Sequence, residues 1–363
     1  MDRKWEVRPK MIYFNNDYSE GCLPQILDRL ADTNMQQTPG YGLDDYCKSA
    51  AQKIKALCGR EDMEVHFLVG GTQANLTVIS ASLRPHQAVV AAATGHVSVH
   101  ETGAIEATGH KVIELPALDG KLTADQIVQI ARSQSDSMDA EHTVQPKLVY
   151  ISSPTELGTL YTLEELEKIR RACDDYGLYL FVDGARMGYG LTARDNDVQL
   201  TDFARFCDVF YIGGTKVGAL FGEAVVITNP AIAQDFRYLI KQRGGMMAKG
   251  RLLGLQFDVL MTDGLYFKVA SHANAHAETI RRSLKKLGYD FMVENTTNQL
   301  FPILPDSVLA ELEKDFCFSE MGRVDETHKA IRICTSWATT QENVDALCTQ
   351  LEKLSRYSYS RHK

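Results

Sequence analysis

Two clusters in the middle of the chain carry residue types and spacing suited to imine chemistry. The apolar run at 178–182 (Leu-Tyr-Leu-Phe-Val) stops at Asp183-Gly184-Ala185-Arg186. A second run at 209–212 (Val-Phe-Tyr-Ile) stops at Gly213-Gly214-Thr215-Lys216, and a third follows at 224–227. Short apolar runs bounded by glycine read as buried strands, and function gathers at their carboxyl ends. A lysine that condenses with an aldehyde cofactor needs room, hence the glycines. It also needs an acid that keeps the cofactor's pyridine nitrogen protonated, so that the ring can accept electrons. Asp183 and Lys216 on neighbouring strand ends supply both parts of a pyridoxal phosphate (PLP) site. Taken singly, Asp183 reads as a helix cap and Lys216 as a loop lysine; the pair in this setting favours the cofactor.

Other residues fall into place around that pair. A strand at 65–69 ends in Gly70-Gly71-Thr72-Gln73-Ala74-Asn75 and an apolar helix, so free backbone N–H groups and the Thr72 hydroxyl could hold an anion; alone the segment is equally a tight turn. The run at 88–93 leads to His96, with His100 and Glu101 behind it. An imidazole there can stack on a flat ring and exchange protons near neutral pH, although a lone histidine is more often structural. Tyr41, between Gly40 and Gly42, can reach outward from its loop or be an ordinary turn residue. Arg332 alternates with Ile331 and Ile333 in a β run, which suits a carboxylate clamp or a solvated edge arginine. Gly188-Tyr-Gly-Leu-Thr-Ala193 fits a dinucleotide fingerprint, but it does not follow its strand directly and is read as a decoy.

The elements that must position these residues alternate. Strands near 65–69, 88–93, 111–115, 147–151, 178–182, 209–212 and 224–227 are interleaved with helical patterns. Capping boxes stand at Thr123–Gln126 and Thr162–Glu165, and Gly177 closes the second of these helices. That alternation means a doubly wound α/β domain. Residues 1–15 read as an arm, 16–245 as the large domain and 246–363 as a small α+β domain. Its last helix is expected to start from a capping box at Thr339–Glu342. The 363 residues leave room for both domains, and a net charge of −8 without a basic stripe argues against nucleic acid as partner. No run reaches the length of a membrane span, and no apolar signal core opens the chain. Eight scattered cysteines with no Cys-x-x-Cys read as reduced thiols, so the expected setting is cytoplasmic, without metal.

The set as a whole resembles the PLP-dependent threonine aldolase and β-eliminating lyase family of the fold-type-I aminotransferase superfamily. The matching pieces are Tyr41-Gly42, 67–76 (Phe-Leu-Val-Gly-Gly-Thr-Gln-Ala-Asn-Leu), His96 with Glu101, Val182-Asp-Gly-Ala-Arg186, Thr215-Lys216, Gly244-Gly-Met and Arg332, in family order. The resemblance implies a mostly parallel seven-stranded sheet between helices plus the small C-terminal domain. It implies that Lys216 carries PLP, that Asp183 pairs with its ring nitrogen, and that Gly71, Thr72 and Thr215 hold its phosphate. His96 would stack on the ring and take the proton of a β-hydroxyl. Arg186 and Arg332 would grip the substrate carboxylate, with Asn16 where the family often has serine. Tyr41 would lie at the interface of a homodimer or homotetramer whose sites form between subunits. The implied reaction cleaves L-threonine or L-allo-threonine to glycine and acetaldehyde, with β-elimination or another β-substituted amino acid as the alternative. Glu156 stands where the family commonly has histidine, which makes it the feature that separates those readings.

Overall fold

The computed structural model describes residues 11–360, with side chains described up to residue 355. Most of the expected N-terminal arm, residues 1–10, therefore lies outside the described residues. Seven strands form one sheet: β1 (Glu64–Leu68), β2 (Gln87–Ala92), β3 (Lys111–Leu115), β4 (Gln145–Ser152), β5 (Tyr179–Asp183), β6 (Val209–Gly213) and β7 (Glu223–Ile227). Their order is β1-β7-β6-β5-β4-β2-β3. Strands β6, β5, β4, β2 and β3 run parallel, and β7 runs antiparallel to both of its neighbours. A reversed β7 follows from the short connection after β6, which is too brief for the crossover that a parallel pair needs.

Alternation along the strands divides the core into two layers. Val90, Val149, Leu180, Val182, Phe210, Ile212 and Val226 face one layer of helices. Val89, Leu148, Tyr150, Phe181, Val209, Tyr211 and Val225 face the other. Both faces are covered, so the central strands read as continuous apolar runs. Buried area of this kind contributes about 25 cal/mol per Å² of apolar surface. The G-x-G-x-x-A stretch is a buried packing turn, Met187–Leu191: a side chain at Gly188 would come within 2.9 Å of Tyr266, and one at Gly190 within 2.9 Å of Pro154.

Helices used below are α1 (Gly71–Ser82), α2 (Arg251–Leu260), α3 (Leu265–Lys286) and α4 (Gln341–Ser360). Phe257, Leu260, Tyr266, Ala270 and Ala273 belong to the core of the large sheet. From Ala277 onward α3 packs instead with Leu300, Leu304, Ile331, Ile333, Val344, Leu347 and Leu351. That second core lies under a small four-stranded antiparallel sheet in which β8 (Ile303–Pro305), β9 (Ser319–Arg323) and β10 (His328–Cys334) follow the order β8-β10-β9 and Gln299–Leu300 also pairs with β10. Ile12–Tyr13 pairs with Phe316–Cys317, and Phe14 is buried in the same cluster. The helix cap expected at Thr339 is one residue later. Thr339 Oγ1 accepts from Ser336 N at 2.8 Å, while Thr340 Oγ1 accepts from Asn343 N at 3.2 Å.

Candidate active site

Asp183 ends β5 and Lys216 follows β6, the next strand, so the two stand side by side at the carboxyl edge of the sheet. Glycines bring the ends together. A Cβ at Gly184 would lie 1.9 Å from the Tyr211 carbonyl oxygen, and one at Gly213 would lie 2.3 Å from that of Ala185. Their role is thus close strand approach as well as room beside the lysine.

Asp183 is buried and fully engaged. Its Oδ2 accepts from Tyr150 Oη at 2.5 Å and Asn75 Nδ2 at 3.2 Å, and its Oδ1 accepts from Ala185 N at 2.9 Å. Burial works to raise its pKa. The His96 imidazole and the hydrogen bonds from Tyr150, Tyr211 and Ala185 overcome that, and the carboxyl is held below its ordinary value. It is a fixed anion at the bottom of the site. Lys216 moves the other way: burial first, then the Arg186 guanidinium, hold its amine below the usual lysine value against the pull of Asp17, Asp183 and Glu223. Among the described residues it forms no ion pair, which suits a nucleophilic amine.

Above Asp183, His96 Nδ1 lies 2.8 Å from Glu101 Oε1, and the buried Glu101 also accepts from Asn75 Nδ2 at 2.7 Å. With Nδ1 facing a carboxylate, the proton sits there and Nε2 is the free ring nitrogen. One oxygen of Glu156 is taken up by the turn that carries His96. Its Oε1 accepts from the His96 backbone N–H at 2.9 Å and from Ser152 Oγ at 2.6 Å, so the acid holds the turn that presents His96. Burial, with the Asp183 charge adding, raises its pKa.

Gly71 and Thr72 open α1 directly after β1, and Gly70 offers no side-chain cap to the helix N-terminus. Uncapped N–H groups at a helix start are donors for an anion. Thr215 Oγ1 is 2.9 Å from Glu223 Oε1. The buried Glu223, on the first residue of β7, had no part in the sequence reading; burial pushes its pKa up to about 8, with the Lys216 amine opposing.

The two arginines differ. Arg186 Nε and Nη2 donate to Asp17 at 2.7 and 2.9 Å, and Asp17 also accepts from Asn298 Nδ2 at 2.9 Å. Burial alone would raise Asp17; Arg186 outweighs it and holds the carboxyl below its ordinary value. One edge of the guanidinium is therefore engaged by Asp17, which leaves its remaining N–H groups for a carboxylate. Arg332, on β10, donates from Nη2 to the Asn15 carbonyl at 3.1 Å, and its buried Nε has no partner among the described residues. Arg332 is the better placed of the two to take a carboxylate. Asn16 uses its carboxamide oxygen on Tyr18 N and Ser19 Oγ of its own loop.

Tyr41 is not brought to Lys216 within one chain. It is half-exposed at a left-handed φ of 60°, with Lys241 over its ring and Arg237 on its carbonyl, and lines a cavity of about 160 Å³ with Phe67, Met246 and Leu253. Sequence reasoning missed Asp17, Tyr150, Tyr211, Asn298 and Glu223 and gave Asn75 no role. The tyrosines carried a signal: both sit near strand ends on one face, where a buried hydroxyl must find a partner.

The donor set fits PLP: an anionic buried acid, a lysine of lowered basicity one strand away, an uncapped helix start and an arginine whose Nε has no partner among the described residues. Comparison with known proteins gives the same direction. The family model for β-eliminating lyases matches residues 18–306. A low specificity L-threonine aldolase from a Pseudomonas species is 29% identical over 345 residues, 93% of this chain and 96% of that one. The solved structure of threonine aldolase from Leishmania major superposes with a TM-score of 0.92 at 47% identity, covering 95% of this chain and 99% of that one. An aromatic aminotransferase from Pyrococcus horikoshii, 17% identical with a TM-score of 0.69 over 96% of each chain, shares the fold.

Proposed function

The chain belongs to the β-eliminating lyase family, and from that premise we propose that it is a PLP-dependent aldehyde-lyase that cleaves L-threonine and L-allo-threonine to glycine and acetaldehyde. The observation that carries the reading is the buried, multiply hydrogen-bonded anion of Asp183 beside Lys216, which forms no ion pair among the described residues, at adjacent strand ends. PLP, when bound, supplies the electron sink that lets a bond at the substrate's α-carbon break.

The chain's own residues choose which bond. With PLP in place, Lys216 would be the amine that takes its aldehyde, and Asp183 would keep its ring nitrogen protonated. The Gly71–Thr72 helix start, with Thr215, would take the phosphate. Arg332 binds the substrate carboxylate, while Arg186, steadied by Asp17, lines the same side with its remaining N–H groups. Fixing the carboxylate sets the angle of the α-carbon bonds, and positioning of this kind is worth several kcal/mol of barrier. The free Nε2 of His96 accepts the β-hydroxyl proton, and Glu101 stabilises the imidazolium that results. A base on the β-hydroxyl favours cleavage of Cα–Cβ, whereas elimination needs that hydroxyl to leave. Glu156, tied to the His96 backbone, supports the same step from behind.

By packing, we place the division between the cofactor-holding unit and the smaller unit within α3, near Ala277, instead of at 245/246, because the core changes sides there. Residues 12–14 belong with the smaller unit. Tyr41, turned outward from its own site, supports a homodimer or homotetramer in which it reaches a second copy. Among the described residues no helix is long and apolar enough to cross a membrane, and all eight cysteines are unpaired, which supports a reducing, cytoplasmic setting. Product analysis tests the reaction. Glycine and acetaldehyde from L-threonine are expected; ammonia and 2-oxobutanoate would make the protein an eliminating enzyme.

A further inference from the structure

Strand β7 lies between β1 and β6, so its first residue, Glu223, sits between the turn that opens α1 and the turn that carries Lys216. It pairs with Leu68 on one side and Gly213 on the other. The side chain is buried, with Oε1 2.9 Å from Thr215 Oγ1 and Oε2 3.2 Å from Gly214 N. Thr215 Oγ1 also accepts from Gly222 N at 3.0 Å.

A hydroxyl has one proton and two lone pairs, and an ionised carboxylate only accepts. Facing a carboxylate, Thr215 must spend its single proton on Glu223 and has none for an anion. Facing a carboxylic acid, Thr215 accepts from both Glu223 and the Gly222 N–H, and its own proton is released to turn outward, with only a long 3.5 Å contact to the Gly222 carbonyl competing. We propose that Glu223 is a positioning residue that holds a proton while the cofactor phosphate is bound and thereby aims the Thr215 hydroxyl at that phosphate. This rests on the reading above that Thr215 belongs to the phosphate cradle.

The surroundings agree. Burial is the largest influence on Glu223 and favours the acid, with Asp183 adding to it, while the Lys216 amine, the Thr215 hydroxyl and the Gly214 N–H oppose without overcoming it. The Tyr211 and Tyr266 hydroxyls, from β6 and α3, are the other titratable groups in its field, and burial keeps both neutral. A phosphate dianion nearby pushes in the same direction as Asp183.

The test is binding of pyridoxamine 5′-phosphate, which cannot condense with Lys216, to apoprotein between pH 7.5 and 9.5. Wild type and Glu223→Gln are compared, with phosphate-free pyridoxamine in parallel. The wild type should lose phosphate-ligand affinity with rising pH, approaching about tenfold per unit once Glu223 titrates. Glu223→Gln, whose amide donates to Thr215 at every pH, should change by less than about threefold, in step with the pyridoxamine control, since it lacks the titrating proton. Parallel curves for both proteins would overturn the proposal while leaving the phosphate cradle standing. No binding by wild type at any pH would sink the cradle and the proposal together. Should the variant fail to fold, infrared difference spectra of wild type decide: phosphate-ligand binding near pH 8.5 should bring up a protonated-carboxyl band, and its absence counts against the proposal.

Discussion

Asp17→Asn removes one charge and leaves the shape nearly unchanged, so it isolates what the Asp17–Arg186 pair contributes. Both side chains lie inside the protein, with 0% of Asp17 and 12% of Arg186 exposed, and two charge-assisted bonds of 2.7 and 2.9 Å join them. An exposed pair would be worth at most about 1 kcal/mol. Here water cannot replace the lost partner, and breaking a buried pair from one side costs about 3–5 kcal/mol. The remaining Asn298 contact persists, so the expected loss is about 3 kcal/mol, at the lower end of that range for a buried pair. The assay is urea unfolding of apoprotein followed by tryptophan fluorescence. Arg186→Gln and the double variant complete the cycle, and the double variant should lose clearly less than the sum of the singles. Arg186 also faces Lys216, so its release should raise KM for L-threonine as well. A loss under about 1 kcal/mol, as an exposed pair would give, with additive singles, would refute the argument that Asp17 fixes Arg186.

Three further outcomes follow from the same geometry. Arg332→Gln should lower kcat/KM by about 10- to 150-fold, the equivalent of a charged hydrogen bond of about 1.5–3 kcal/mol, read by steady-state kinetics of aldehyde release; no change would move the carboxylate clamp elsewhere. Tyr150→Phe deletes a 2.5 Å donor to Asp183, lets its pKa rise, and should weaken cofactor binding by about 10-fold or more, measured by equilibrium dialysis against PLP. Asp17 and Asp183 are both held below their ordinary value of 3.8, so the stability they contribute is present above that pH and is lost as pH falls below it through their folded pKa values. The acid limb of an unfolding curve from pH 5 to 2.5 should accordingly be shallower in Asp17→Asn than in wild type.

The strands were legible because buried parallel strands are apolar on both faces, and all seven of the large sheet stand within a residue or two of the runs that announced them. The capping boxes at Thr123 and Thr162 were equally plain, since each depends on a local pattern. The site was legible only where chemistry is local. Asp183 and Lys216 stand at strand ends flanked by glycine, and order in the sheet makes them neighbours. Asp17 and Glu223 were hidden because their partners are 169 and 8 residues away and only the fold brings them together. Glu156 stood out only as a departure from the family pattern, because no sequence rule says that its oxygen faces the His96 backbone across a turn. The Asp17 partner of Arg186 was hidden for the same reason.

The central claim is tested most directly by borohydride reduction of PLP-loaded protein and mass mapping of the pyridoxylated lysine. The account predicts the label on Lys216 alone, with loss of both label and aldehyde release in Lys216→Ala. Label on another lysine, or aldehyde release that survives in Lys216→Ala, would contradict it.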